Sequence, residues 1–122
     1  MDISQAIAQM KRKPGFTEKV GMVLVHNGVV RGRPRSGDKV VERLEVRPDT
    51  LKIEAICREM SGRPGIFEVA AQAETGVFSP GEDLLFIIVA GDIRENVLET
   101  MTLTLNRIKA EAVAKSEHYL VE

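Results

Sequence analysis

Apolar positions along the chain change period several times, and each change marks an element. Between Asp2 and Lys13, Ile3, Ala6, Ile7 and Met10 recur at helical spacing. Asp2 and Gln5 stand at the spacing of a capping box, and Pro14-Gly15 ends that helix. Val20 to Val25 is a continuous apolar run rich in β-branched residues, which predicts a strand covered on both faces. Asn27-Gly28 predicts a bulge or turn, because both residues tolerate positive φ. Arg31 to Asp38 reads as a loop, and Lys39 to Val46 as a second, half-exposed strand. Pro48 is placed to open a helix running to about Met60, with Leu51, Ile53, Ile56, Cys57 and Met60 on its buried face. A third strand follows over Ile66 to Ala73, then a turn at Ser79-Pro80-Gly81-Glu82. Leu84 to Ala90 is apolar throughout and predicts a central, fully buried strand. A long helix is expected from Asp92 to about Lys115, with Asp92 and Glu95 capping it. Val97, Leu98, Met101, Leu105, Ile108 and Ala112 form its apolar stripe. His118 to Glu122 would add a short edge strand.

This order predicts an α+β fold with helices packed on one face of a mostly antiparallel sheet. Counting the first two strands as one interrupted element, its core is β-α-β-β-α with an added N-terminal helix. No repeat or linker divides the chain, so residues 1–122 are expected to form a single domain.

Composition narrows the chemistry. Seventeen basic and eighteen acidic residues leave a net charge of −1, which argues against a polycation that grips nucleic acid through its phosphates. One cysteine excludes an intrachain disulfide framework and a zinc site built on several thiolates. With His26 and His118 as its only histidines, the chain offers a metal little to bind, and neither metal nor cofactor is expected. No apolar run has the length to cross a bilayer, and Met1-Asp2-Ile3-Ser4-Gln5 is not the start of a signal peptide. A soluble, cytoplasmic protein is the expectation.

Arg31, Arg33 and Arg35 alternate in the loop between the first two strands, among glycines that let a ligand approach the backbone. Guanidinium groups bind phosphate or carboxylate bidentately, which makes this a candidate anion site; a solvated connection is the plainer reading. Lys109 and Lys115 fall on either flank of the apolar stripe of the last predicted helix. A lysine beside apolar surface can act as base or nucleophile, whereas a helix C-terminus also attracts cations for stability alone. Cys57 has Ile53 and Ile56 as helical neighbours and reads as a core residue. His26 ends a buried strand, in reach of a pocket or as a structural histidine. Asp92 and Glu95 are explained by capping. The chain has no P-loop, G-x-S-x-G or H-E-x-x-H motif, so conventional kinase and hydrolase readings fall away.

Taken in order, these motifs resemble the large, catalytic subunit family of molybdopterin synthase. The resemblance lies in Gly28-Val29-Val30-Arg31 with its polar loop, and in Leu44-Glu45 with Pro48 after it. It continues through Gly76, Pro80-Gly81-Glu82, Arg94 at the opening of the long helix, and Lys109 near its end. It runs from about residue 18 to 117. The family differs from this chain where Ala73 and Glu74 replace a His-Arg pair and Ile93 replaces a histidine. His26 stands where the family usually has an aromatic, and Ser116 at its second catalytic lysine, next to Lys115.

The resemblance implies a sulfur-transfer enzyme of molybdenum cofactor biosynthesis. A ubiquitin-like small subunit would insert its C-terminal Gly-Gly thiocarboxylate, and its sulfur would pass to cyclic pyranopterin monophosphate, a pterin phosphate. Large subunits of the family pair as a homodimer. By the same resemblance Lys109 and Lys115 are the catalytic candidates. Arg31, Arg94, His26, Arg33 and Arg35 are the substrate-binding candidates. Two other readings fit the residues: a non-catalytic relative that binds a ubiquitin-like carrier, and a regulatory module that binds an anionic metabolite at the arginine loop.

Overall fold

The computed structural model describes residues 1–33 and 39–120. Its elements are α1 (Ile3–Lys11), α2 (Phe16–Lys19), β1 (Met22–Val29), β2 (Val41–Pro48), α3 (Thr50–Ser61) and β3 (Ile66–Ala73). β4 (Gly76–Phe78), β5 (Asp83–Gly91), α4 (Arg94–Glu111) and β6 (Val113–Tyr119) complete them. The strands form two antiparallel three-stranded sheets, ordered β1-β5-β3 and β4-β2-β6.

β5 occupies the centre of the first sheet, and Ile87, Ile88, Val89 and Ala90 are fully buried. Its alternating side chains serve two cores. Ile87 and Val89 pack with Val69, Val97, Met101, Ile108 and the α3 residues Ile53, Ile56, Cys57 and Met60. Ile88 and Ala90 face the other way, against Met10 of α1 and Phe16 of α2. Helices therefore cover both faces of this sheet, not one. A strand apolar at every position needs cover on both sides, and α1 and α2 supply the second layer. Phe16, at the start of the unforeseen α2, meets Phe67 of β3 edge to face at 5.5 Å. The second sheet presents Leu44, Val46, Phe78 and Val113 to the α3–α4 core.

Several expectations need correction. β1 is an edge strand and only half-buried, although its sequence is as apolar as that of β5. The bulge expected at Asn27-Gly28 is present, as a register shift between Gly28 and Val29, and the strand continues through it. Pro48 closes β2, and Asp49 caps α3 by accepting the Lys52 amide at 3.1 Å. Leu51 is exposed on that helix. Asp92 does not cap α4: its carboxylate accepts from the Ile93 amide and the Asn96 side chain, and Ile93 holds the N-cap position. Leu98, assigned to the stripe, is exposed. α4 ends at Glu111, so Lys115 lies on β6 and not on a helical flank. The asparagine contact and the backbone amide together hold the Asp92 carboxyl below its usual pKa. α1 and β3 match their expected positions, and Asp2 accepts the Gln5 amide at 3.0 Å.

Candidate functional site

The second sheet and α4 meet at one end of β1, and the cations converge there. β1 stays paired with β5 past its bulge as far as Val29, and Val30 continues the chain into the core with its amide on the Glu82 carbonyl. Arg31 and Arg33 follow directly. Lys109 stands on the last turn of α4, where the helix dipole favours a cation. The helix then stops at Ala112, whose amide bonds the Ile108 carbonyl, and Val113 begins β6 against Pro48. Side chains alternate along a strand, so Val113, Lys115 and Glu117 share one face. Lys115 stands opposite Val46 and Glu117 opposite Leu44, both buried β2 residues.

An open cavity of about 230 Å³ lies here, lined by Arg31, Arg33, Lys109, Lys115 and Glu117 over a floor that includes Val30, Val41, Leu44 and Leu84. Burial, and then the charge of Lys109, push the Lys115 pKa below its ordinary value; Glu117 opposes the shift. Among the described residues the site carries four cationic side chains and one carboxylate, an arrangement that receives an anion. Among the described residues no ion pair neutralises Arg31, Lys109 or Lys115.

The other candidates are placed as follows. His26 lies on β1 beside this cluster, near enough that both lysines, after burial itself, depress its pKa. Arg94 is remote, exposed at the opposite end of α4 and paired with Glu95 at 3.4 Å. Arg35 lies outside the described residues. Ser116 falls between Lys115 and Glu117 and therefore faces away from the cavity, which leaves Lys115 as the β6 lysine that reaches it. Cys57 is buried and its thiol is pushed up to about 11, first by burial and then by Glu54, so it is no nucleophile. No group of three or more potential metal ligands occurs among the described residues. The sequence pattern misses Glu117, which falls between the predicted helix, run to about Lys115, and the edge strand predicted from His118, whereas β6 already begins at Val113. Reading residues 113–117 with a period of two would have placed it beside Lys115.

The MoaE protein family model matches residues 1–111. The chain belongs to the MoaE family. Among solved structures, its fold is similar to molybdopterin synthase from Staphylococcus aureus, with a TM-score of 0.74 and 22% identity over 86% of this chain and 79% of that one. It is equally similar to molybdopterin cofactor biosynthesis protein E from Burkholderia multivorans, with a TM-score of 0.74 and 21% identity over 98% of this chain and 84% of that one. A complex of subunits 1 and 2 of molybdopterin-converting factor from Helicobacter pylori matches at a TM-score of 0.66 and 16% identity, over 96% of this chain and 78% of that one. No curated protein matches the chain. The α+β arrangement expected from the sequence is thus the fold of MoaE structures. No helix among the described residues is long and apolar enough to cross a membrane.

Proposed function

We propose that this MoaE-family chain is the large subunit of a molybdopterin synthase, acting in molybdenum cofactor biosynthesis. It would take sulfur from the thiocarboxylated Gly-Gly tail of a ubiquitin-like small subunit and deliver it to cyclic pyranopterin monophosphate. The observation that carries this reading is the convergence of Lys109, Lys115, Arg31 and Arg33 on one cavity from elements far apart in the chain. The two arginines suit the substrate phosphate, since guanidinium donors match its oxygens in pairs. The Lys109 ammonium suits the thiocarboxyl oxygen, where negative charge builds as the carbon is attacked. Sulfur arrives on the partner, so the chain needs no reactive thiol, in keeping with the inert Cys57. The proposal extends to one domain over residues 1–122, a homodimer of large subunits, and a cytoplasmic location.

The test is reconstitution of the protein with thiocarboxylated carrier and the pterin precursor, reading dithiolene product. Product formation that disappears in Lys109→Ala is the expected result. No turnover above carrier alone, or full turnover by that variant, overturns the reading. One feature favours the second reading, a non-catalytic carrier-binding relative: Ala73, Glu74 and Ile93 replace the imidazole and basic groups of the family. Calorimetry separates the two, because that reading requires carrier binding without pterin binding.

A further inference from the structure

Among the described residues, Nε2 of His26 is a buried side-chain polar atom with no hydrogen-bond partner. Such an atom costs stability, and a fold retains it where a moving side chain or an occupant completes the bond. Its surroundings show which group that is. His26 lies on the α4 face of β1, in line with Leu24 of the main core and opposite Ile87 of β5. The ring leans along the strand over Gly28, where a Cβ would stand 3.2 Å from Nε2. Glycine leaves that space open, and the residues that follow it, Val29, Val30 and Arg31, line the cavity. β5 presents only apolar side chains at this level, Leu85 and Ile87. Among the described residues the charges that act on the ring are those of Lys109 from α4 and Lys115 from β6, Lys109 the more strongly. Arg31, Arg33 and Glu117 complete the charged lining beyond them. Burial and the two lysines hold the imidazole pKa below its ordinary value, so the ring is neutral near pH 7.

We propose that His26 is a positioning residue for Lys109, its Nε2 accepting a hydrogen bond from the lysine Nζ and holding that ammonium at the cavity wall. An imidazolium is a far stronger acid than an ammonium, so the proton stays on the lysine and the contact orients it without deprotonating it. The inference rests on the sulfur-transfer reading for its purpose, but not for its geometry. Accepting through Nε2 requires the ring proton to sit on Nδ1.

Long-range proton–nitrogen NMR of the labelled full chain reads that tautomer directly, with His118 as internal control. The Nδ1–H form is expected for His26 at pH 7.5, and Lys109→Met should abolish the preference and raise the His26 titration midpoint. A proton on Nε2, or a tautomer indifferent to Lys109→Met, overturns the proposal. In the reconstituted assay His26→Phe should lower kcat about tenfold with the KM for carrier unchanged, a hydrogen bond's worth of orientation. His26→Gln, whose amide oxygen also accepts, should recover most of that loss. Wild-type kcat in His26→Phe overturns the inference. Absence of turnover in the wild-type protein overturns only the functional reading, and the tautomer still decides this one.

Discussion

The two ends of α4 are built on opposite principles. At the N-terminal end the polar groups close on protein partners. Asp92 accepts from the Ile93 amide at 2.6 Å and from Asn96 at 2.9 Å, while its own amide bonds the Gly65 carbonyl at 2.9 Å. The Gly21 amide reaches Gly91 at 2.8 Å beside them. At the C-terminal end only the outward side is closed in this way: Arg107 pairs with Glu59 and Glu111, and Lys52 with Glu111. On the inward side Arg31, Lys109 and Lys115 are gathered without a carboxylate partner of their own among the described residues. Like charges left together cost stability, so their convergence is explained by an occupant that arrives with negative charge. The closed end holds the fold; the open end awaits a ligand.

The largest effects should separate the two ends. Lys109→Ala is expected to slow sulfur transfer by about two orders of magnitude or more, the usual cost of removing one group that stabilises developing charge. Its thermal stability should fall by no more than about 1 kcal/mol, because the side chain is exposed, has no ion pair among the described residues and gives up at most the one hydrogen bond to His26. Gly65→Ala should do the reverse. Gly65 has φ +75°, and a Cβ there would lie 2.4 Å from Asn96 Nδ2 and from Asp92 Oδ1. We expect a loss of about 3 kcal/mol in urea unfolding, from left-handed backbone strain and the displaced contacts together. Activity per folded molecule should be retained. A Gly65→Ala protein of normal stability would show that the closed end is looser than its contacts imply.

The contrast also explains what the sequence could reveal. Strands and helices with one consistent period, such as Ile66–Ala73 and Leu84–Ala90, were legible because burial dictates their pattern directly. β1 was misjudged because its apolar run resembles that of β5, yet only neighbours distant in sequence decide which strand is central. The end of α4 was misjudged because Ala112 to Lys115 has no glycine or proline to mark the stop. Helix propensity yielded there to pairing between Val113 and Pro48. For the site, Arg31, Arg33, Lys109 and Lys115 were legible as residue types, but their meeting in one cavity depends on the edge strand starting at Val113, five residues before its expected place.

Arg94 offers a way to sharpen the comparison. It lies fifteen residues before Lys109 on one helix, a separation of roughly 22 Å at 1.5 Å per residue. Its side chain does not reach the cavity of its own chain, so in the proposed homodimer any role it has in transfer would be exerted on the second copy. Arg94→Ala should then reduce transfer about tenfold, a smaller loss than at Lys109, as expected for one phosphate contact among several. Equal amounts of Arg94→Ala and Lys109→Ala chains, allowed to exchange, would form mixed dimers with one intact site and recover about a quarter of wild-type activity. An unimpaired Arg94→Ala removes this arginine from the site. An impaired one that no mixture rescues removes the exchange between copies.

The smallest effect tests the claim that the open end sacrifices stability. Lys115 is exposed at the cavity wall beside Lys109, and desolvation there, then the neighbouring charge, lower its pKa. The unfolded chain, with an ordinary lysine, therefore holds its proton to higher pH than the folded one. Stability attributable to this residue is lowest below the folded pKa, where the ammonium is charged in both states but disfavoured by the fold. It rises with pH until the unfolded lysine also deprotonates, near pH 10. Lys115→Met should thus stabilise the protein at neutral pH by no more than about 1 kcal/mol, and the gain should shrink as pH is raised toward that value. Thermal melts of the two proteins across pH 7 to 10 measure this directly. A variant less stable than wild type at pH 7 would mean that Glu117, the carboxylate opposing the shift, outweighs burial and Lys109 together. The cavity would then be electrostatically settled even without a ligand, and the distinction between the two ends of α4 would rest on activity alone.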